Sequence, residues 1–108
     1  MLNKVFLIGN IGKELRVEKT ATGSSVIEFP LATDETRLTS NGDREEKTTW
    51  HDIVAFGKLA DSCIGHLGKG DLIYIEGKIK QDKFERNGRP EYRTKILAEK
   101  IVFLNLKR

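Results

Sequence analysis

Apolar and polar residues alternate with a period of two along most of this chain, and turn formers break the alternation at short intervals. No other feature restricts the fold as much, because a period of two buries one face of a strand and cannot bury one face of a helix. The pattern runs through residues 3–9, 15–20, 26–33, 48–56, 72–84 and 92–106. Between them lie "TATGSS", where Gly23 supplies a turn, and a polar loop, 34–47, with a hairpin turn at Asn41-Gly42. A second hairpin turn falls at Arg86-Asn87-Gly88-Arg89, with Pro90 just past it, where no ladder hydrogen bond need be lost.

One segment follows a helical period instead. "GKLADSCIGHLGKG" places Leu59, Cys63, Ile64 and Leu67 on one helical face, with Gly57 before it and Gly68 and Gly70 as stop signals. The plan is therefore β-β-β-α-β-β, with a single helix between the third and fourth main strands. Short alternating strands with one such helix predict an all-β, five-stranded Greek-key barrel, the OB-fold. An SH3-like barrel is the rival, though it usually lacks a helix of this length there. At 108 residues, with no linker or internal repeat, a single domain spanning 1–108 is expected.

Composition removes several chemistries. One cysteine, Cys63, cannot form an internal disulfide, and with His51 and His66 it cannot assemble a zinc site of usual ligands within one chain. No metal and no cofactor are expected, and Cys63 reads as a small apolar residue in a reducing compartment. Neither a Ser–His–Asp nor a Cys–His arrangement stands out, and "GHLGKG" lacks the spacing of a phosphate loop, so catalysis is not expected. Val5-Phe6-Leu7-Ile8 is too short for a signal segment or a membrane span. A cytoplasmic protein is expected, and a mitochondrial one is disfavoured for want of a transit peptide.

The net charge of +3 is unevenly distributed. Residues 78–95 carry Lys78, Lys80, Lys83, Arg86, Arg89, Arg93 and Lys95 against Asp82, Glu85 and Glu91, which makes this segment +4 and the rest of the chain −1. Such a footprint suits a polyanion, although a solvated hairpin would look the same. Strand parity puts Trp50, Asp52, Val54 and Phe56 on one face and His51, Ile53 and Ala55 on the other. In the long strand Ile73, Ile75, Gly77 and Ile79 form a core face. Opposite them Tyr74, Glu76, Lys78, Lys80, Asp82 and Phe84 interleave aromatics with lysines, a pattern suited to stacking bases and meeting phosphates. Parity alone leaves open whether Trp50 and Phe56 bind a ligand or fill the barrel.

The stretches "LNKVFLIGNIGKE", "FPLAT", "TTWHDIVAFGKLAD", "LGKGDLIYIEGKI" and "YRTKILAEKI" resemble, in order and over nearly the whole chain, the bacterial-type single-stranded DNA-binding protein family that mitochondria also use. The resemblance implies an OB-fold homotetramer that wraps single-stranded DNA without sequence preference and protects it in replication, recombination and repair. By position it implies base stacking for Trp50, Phe56 and Phe84. It implies phosphate contacts for Lys58, Lys69, Lys80 and Lys83, to which local charge adds Arg37, Arg44, Lys47, Lys78, Arg86, Arg89 and Arg93. His51 matches a histidine near the family's subunit interface, and Tyr74 is a second candidate there.

Three departures stand out. Arg37 occupies a loop position where many relatives have a further stacking Trp. Asp52 puts a negative charge where a basic residue is frequent. The sequence ends at "LNLKR", without the Gly/Pro/Gln-rich segment and acidic tip through which relatives recruit replication and repair proteins, so tail-mediated recruitment is not expected of it. Three other readings stay open: a primosome-type OB subunit, an RNA-binding OB module, and a structural oligomer with Trp50 and Tyr74 as interface anchors. The first is disfavoured by the presence of all three aromatics.

Overall fold

Alternation becomes strand pairing wherever the apolar face can be closed against another. The computed structural model describes residues 1–105 and pairs six strands around one helix: β1 (Val5–Ile11), β2 (Arg16–Lys19), β3 (Ser25–Leu38), β4 (Arg44–Phe56), α1 (Gly57–Cys63), β5 (Leu72–Arg86) and β6 (Arg89–Phe103). The order across the sheet is β1-β5-β6-β4-β3-β2, and β1 also pairs with β3 through Asn10↔Ala32 and Ile11↔Leu31. That second pairing closes β1, β3, β4, β5 and β6 into a five-stranded barrel, with β2 laid on the free edge of β3. The expected OB-fold is the architecture found.

Closure brings backbones close at two corners. A Cβ on Gly9 would lie 2.2 Å from the Ala32 carbonyl oxygen, where β1 crosses onto β3. A Cβ on Gly77 would lie 2.2 Å from the Leu97 carbonyl oxygen, beside the bulge at which β6 gains Glu99. The inward residues Ile11, Ile27, Phe29, Leu31, Ile53, Ala55, Ile73, Ile75, Ile96 and Ala98 fill the interior, and Ala60 and Cys63 of α1 complete it. Ser25, the buried polar residue among those described, accepts a hydrogen bond from Lys19 Nζ at 2.9 Å and donates to Asp61, which ties the start of β3 to α1.

The elements differ from their sequence reading mainly in the ribbons, at the end of the helix and at the end of the last strand. The polar loop of 34–47 is mostly strand: β3 and β4 stay in register from Val26↔Phe56 to Leu38↔Arg44 and project as a ribbon closed by Thr39–Asp43. Its turn carries only Gly42 at positive φ (82°), whereas Asn87 (54°) and Gly88 (75°) both do so in the β5–β6 hairpin, as a two-residue type I′ turn demands. The helix ends at Cys63, because Gly65 turns left-handed (φ 80°); Ile64 and Leu67 still pack on the core from the turn that follows. The last strand, read to residue 106, ends at Phe103, and Leu106 lies outside the described residues.

Candidate nucleic-acid interface

Register decides which side chains share the outer surface, since directly paired residues point to the same side of a sheet. On β4 the outward set begins with Trp50 and Asp52 and returns at Phe56. Val54, of the same parity, is buried, because β6 pairs with β4 in parallel at Ile53↔Ile96 and Val54↔Leu97 while Glu28 of β3 flanks it from the other side. On the β5–β6 ribbon the outward set is Lys78↔Leu97, Lys80↔Lys95, Asp82↔Arg93, Phe84↔Glu91 and Arg86↔Arg89. Arg44 of the β3–β4 ribbon has the parity of Trp50.

Other candidates separate from this set. Lys83 is paired with Tyr92 on the opposite face of its ribbon. Arg37 and Lys47 have the parity of His51, and the Arg37 guanidinium sits 3.3 Å from Glu45. The β3–β4 ribbon is also acidic over 34–47, with five carboxylates against three cations. Lys58 is exposed on α1, and Lys69 lies in the exposed turn before β5, where its backbone N–H donates to Glu14. His51 is half-buried, with Nε2 2.9 Å from Thr33 Oγ1.

Trp50 is 60% exposed and forms one wall of a cleft of about 450 Å³. Pro30, Phe29 and Ile53 give the cleft its apolar surface; Lys13, Arg16, Arg93 and Lys95 bring cations, and Glu14, Glu28 and Asp52 bring carboxylates. The indole lies over Gly12, where a Cβ would come within 2.3 Å of Cζ3 and 2.8 Å of Cη2. Glycine at position 12 thus sets the height at which the ring can lie. Phe56 and Phe84 are exposed on the same outer surface. Flat apolar faces bordered by cations can stack bases and hold the phosphates between them.

Arg16, Arg93 and Lys95 are already matched with carboxylates. Lys95 Nζ lies 3.0 Å from Glu28 and 3.6 Å from Asp82, so it braces β3 against the β5–β6 ribbon. Arg93 lies 3.6 Å from Asp52, and Arg16 reaches Glu18 at 2.8 Å. Lys13, Arg16 and Lys95 were not among the sequence candidates. Lys13 lies in a loop without periodicity, Arg16 belongs to the alternating stretch 15–20 but nothing along the chain places it beside Trp50, and Lys95 has a sequence signal only as part of the basic segment. Tyr92, 60% exposed and paired with Lys83, is a further surface aromatic with no sequence signal for the site.

A second surface lies on the outer side of β1, β5 and β6. Phe6 and Ile8 are 60% and 58% exposed, and Ile8↔Tyr74 and Tyr74↔Val102 continue their row across the sheet. Burial and then the neighbouring Glu76 carboxylate push the Tyr74 hydroxyl up from its ordinary pKa. Nearby, Lys4 pairs with Glu99 at 3.2 Å and Glu76 at 3.7 Å, and the hydrogen bond to Glu99 raises its ammonium pKa. Cys63 is buried in the core, which raises the thiol pKa and keeps it from being a thiolate nucleophile. Among the described residues, no cluster of three His, Cys, Asp or Glu side chains could hold a metal ion, and no helix is long and apolar enough to cross a membrane.

Residues 2–104 match the family described as the single-strand binding protein family. Single-stranded DNA-binding protein 1 of Chlorobaculum tepidum is 44% identical over 108 residues, covering 98% of this chain and 67% of its own length. The single-stranded DNA-binding protein of Bacteroides thetaiotaomicron is 41% identical over 109 residues, covering 98% and 68%. The chain therefore spans about two thirds of the length of these relatives. Among solved structures, a Plasmodium falciparum SSB in complex with ssDNA superposes with a TM-score of 0.88 at 31% identity, over 97% of this chain and 96% of that one. A deletion mutant of the single-stranded DNA binding protein from Thermus aquaticus superposes with a TM-score of 0.84 at 28% identity, over 96% and 51%.

Proposed function

The chain belongs to the single-strand binding protein family, and from that premise we propose that it captures single-stranded DNA without sequence preference and without catalysis. One observation carries the reading: a largely exposed Trp50 stands at a cleft bordered by Lys13, Arg16, Arg93 and Lys95. Bases stack on Trp50, Phe56 and Phe84, each stack contributing about 1–3 kcal/mol. Phosphates run along the outward cations Lys78, Lys80, Arg86, Arg89 and Arg93, with Arg44, Lys58 and Lys69 at the margins and Arg37, Lys47 and Lys83 reached only where the strand turns around a ribbon edge. Every base has a π-face, so discrimination among sequences is small, and duplex DNA hides those faces. The protein acts as a homotetramer in the cytoplasm, shielding single strands during replication, recombination and repair. The apolar row of Phe6, Ile8, Tyr74 and Val102 supports self-association, with His51 a further interface candidate.

Trp50 is the sole tryptophan, so its fluorescence reports on the site directly. Titration with oligo-dT quenches the emission strongly, and added salt weakens the effect. Unquenched emission from an intact oligomer would overturn the stacking role and favour Trp50 as a subunit anchor. Competition between matched DNA and RNA oligomers separates this reading from an RNA-binding module.

A further inference from the structure

Asp52 is the residue of the cleft least suited to a polyanion, and its position accounts for its presence. It sits two residues from Trp50 on the same face of β4, and its Oδ2 lies 3.6 Å from a terminal nitrogen of Arg93. Both side chains are half exposed, so the pair is weak and can open without stranding a buried charge. Lys95 differs: its side chain is only 17% exposed and two carboxylates hold it, one from β3 and one from β5. Asp82, the cross-strand partner of Arg93, is spent on Lys95, and among the described residues Asp52 is the carboxylate paired with Arg93. Of these two neighbouring cations, Lys95 is a fixed brace and Arg93 sits in a pair that can exchange.

We propose that Asp52 is an affinity-setting residue: it occupies Arg93 in the free protein, and a DNA phosphate must displace it to reach that guanidinium. The proposal rests on the single-strand-binding reading above. Exchange has a thermodynamic signature. A phosphate neutralised by a free cation releases about 0.7 of a condensed counterion. When Arg93 comes from Asp52, the freed carboxylate collects a cation from solution and cancels most of that release. Arg93 then adds little to affinity at low salt and little to the salt dependence. The cleft keeps its hold on Trp50-stacked bases over a wider range of ionic strength than its number of cations implies.

The test is a double-mutant cycle on the whole chain, titrating oligo-dT against Trp50 fluorescence at several NaCl concentrations. Asp52→Asn is expected to tighten binding about two- to fivefold, the range spanned by an exposed ion pair. It should also steepen the slope of log K against log salt by about 0.7. Arg93→Gln alone supplies the remaining corner of the cycle, and in the Asp52→Asn background it should erase both the gain and the added slope. Asp52→Ser, a second uncharged replacement, repeats the measurement if the Asn variant is poorly folded. Unchanged or weaker binding by both variants overturns the proposal, and so does a gain that persists without Arg93. Failure of the wild-type chain to bind oligo-dT would instead remove the reading on which the proposal rests.

Discussion

Trp50 shows how a single side chain can be specified from two directions. The strand register turns it outward, and the absence of a Cβ at Gly12 leaves room for the indole at the cleft mouth. Gly12→Ala is therefore expected to tilt the ring and weaken oligo-dT binding by about 1 kcal/mol, the lower end of one stacking contact. A shifted Trp emission in the free protein and an unchanged melting temperature would identify the cause as ring placement. Unaltered emission and affinity would mean that the ring accommodates the methyl group without cost. At the same scale, the carboxylates were visible in the sequence but their partners were not. Lys95 meets Glu28 across sixty-seven residues of chain, a contact that periodicity cannot contain.

The two ribbons carry the weakest sequence signal of any elements in the fold. Both project beyond the barrel, so their residues lose the buried face that makes alternation informative. Ile79, placed in the core by parity, is 51% exposed, because β5 has left the barrel by that point and its backbone is held by the Asn3 side chain instead. Residues 34–47 read as loop for the same reason, being polar on both faces while pairing continuously. The β5–β6 turn was legible, since Asn-Gly is the pair that tolerates two consecutive positive φ angles. Gly88→Val should cost about 1–3 kcal/mol locally. Hydrogen exchange would show amides of residues 80–93 losing protection while Ile53 and Ile75 keep theirs. Loss of protection in the barrel as well would mean that the ribbon and the barrel unfold as one unit.

On the scale of the molecule, the barrel presents two outer surfaces of different character. One is charged and interrupted by aromatics; the other, across β1, β5 and β6, is an apolar row bordered by Lys4, Glu76 and Glu99. Burying Phe6 or Ile8 against a second copy stabilises an assembly by about 1.5–3 kcal/mol per side chain. Ile8→Glu should therefore lower the oligomeric state seen by sedimentation and leave the far-ultraviolet circular dichroism of the barrel unchanged, since that side chain points away from the core. A tetramer that survives the substitution would put the interface elsewhere. Phe6 and Ile8 had a sequence signal: an apolar run continuous at 5–8 implies two apolar faces, and a barrel interior can use only one.

The sequence by itself determined what depends on neighbours along the chain: the strand periodicity, the hairpin turn at Asn87-Gly88, the single helix between β4 and β5, and the shared parity of Trp50 and Phe56, though not which way that face points. Its likeness to a known family carried the fold and the expected ligand. Tertiary structure alone decided what depends on closure. Pairing β1 with both β5 and β3 makes a barrel of the sheet, and the parallel contact of β4 with β6 buries Val54 against its parity. The same crossing brings Arg93 to Asp52 and Lys95 to Glu28. Charge can be counted along a sequence, but whether a cation is free or already matched is a matter of distance, and distance is set by the fold.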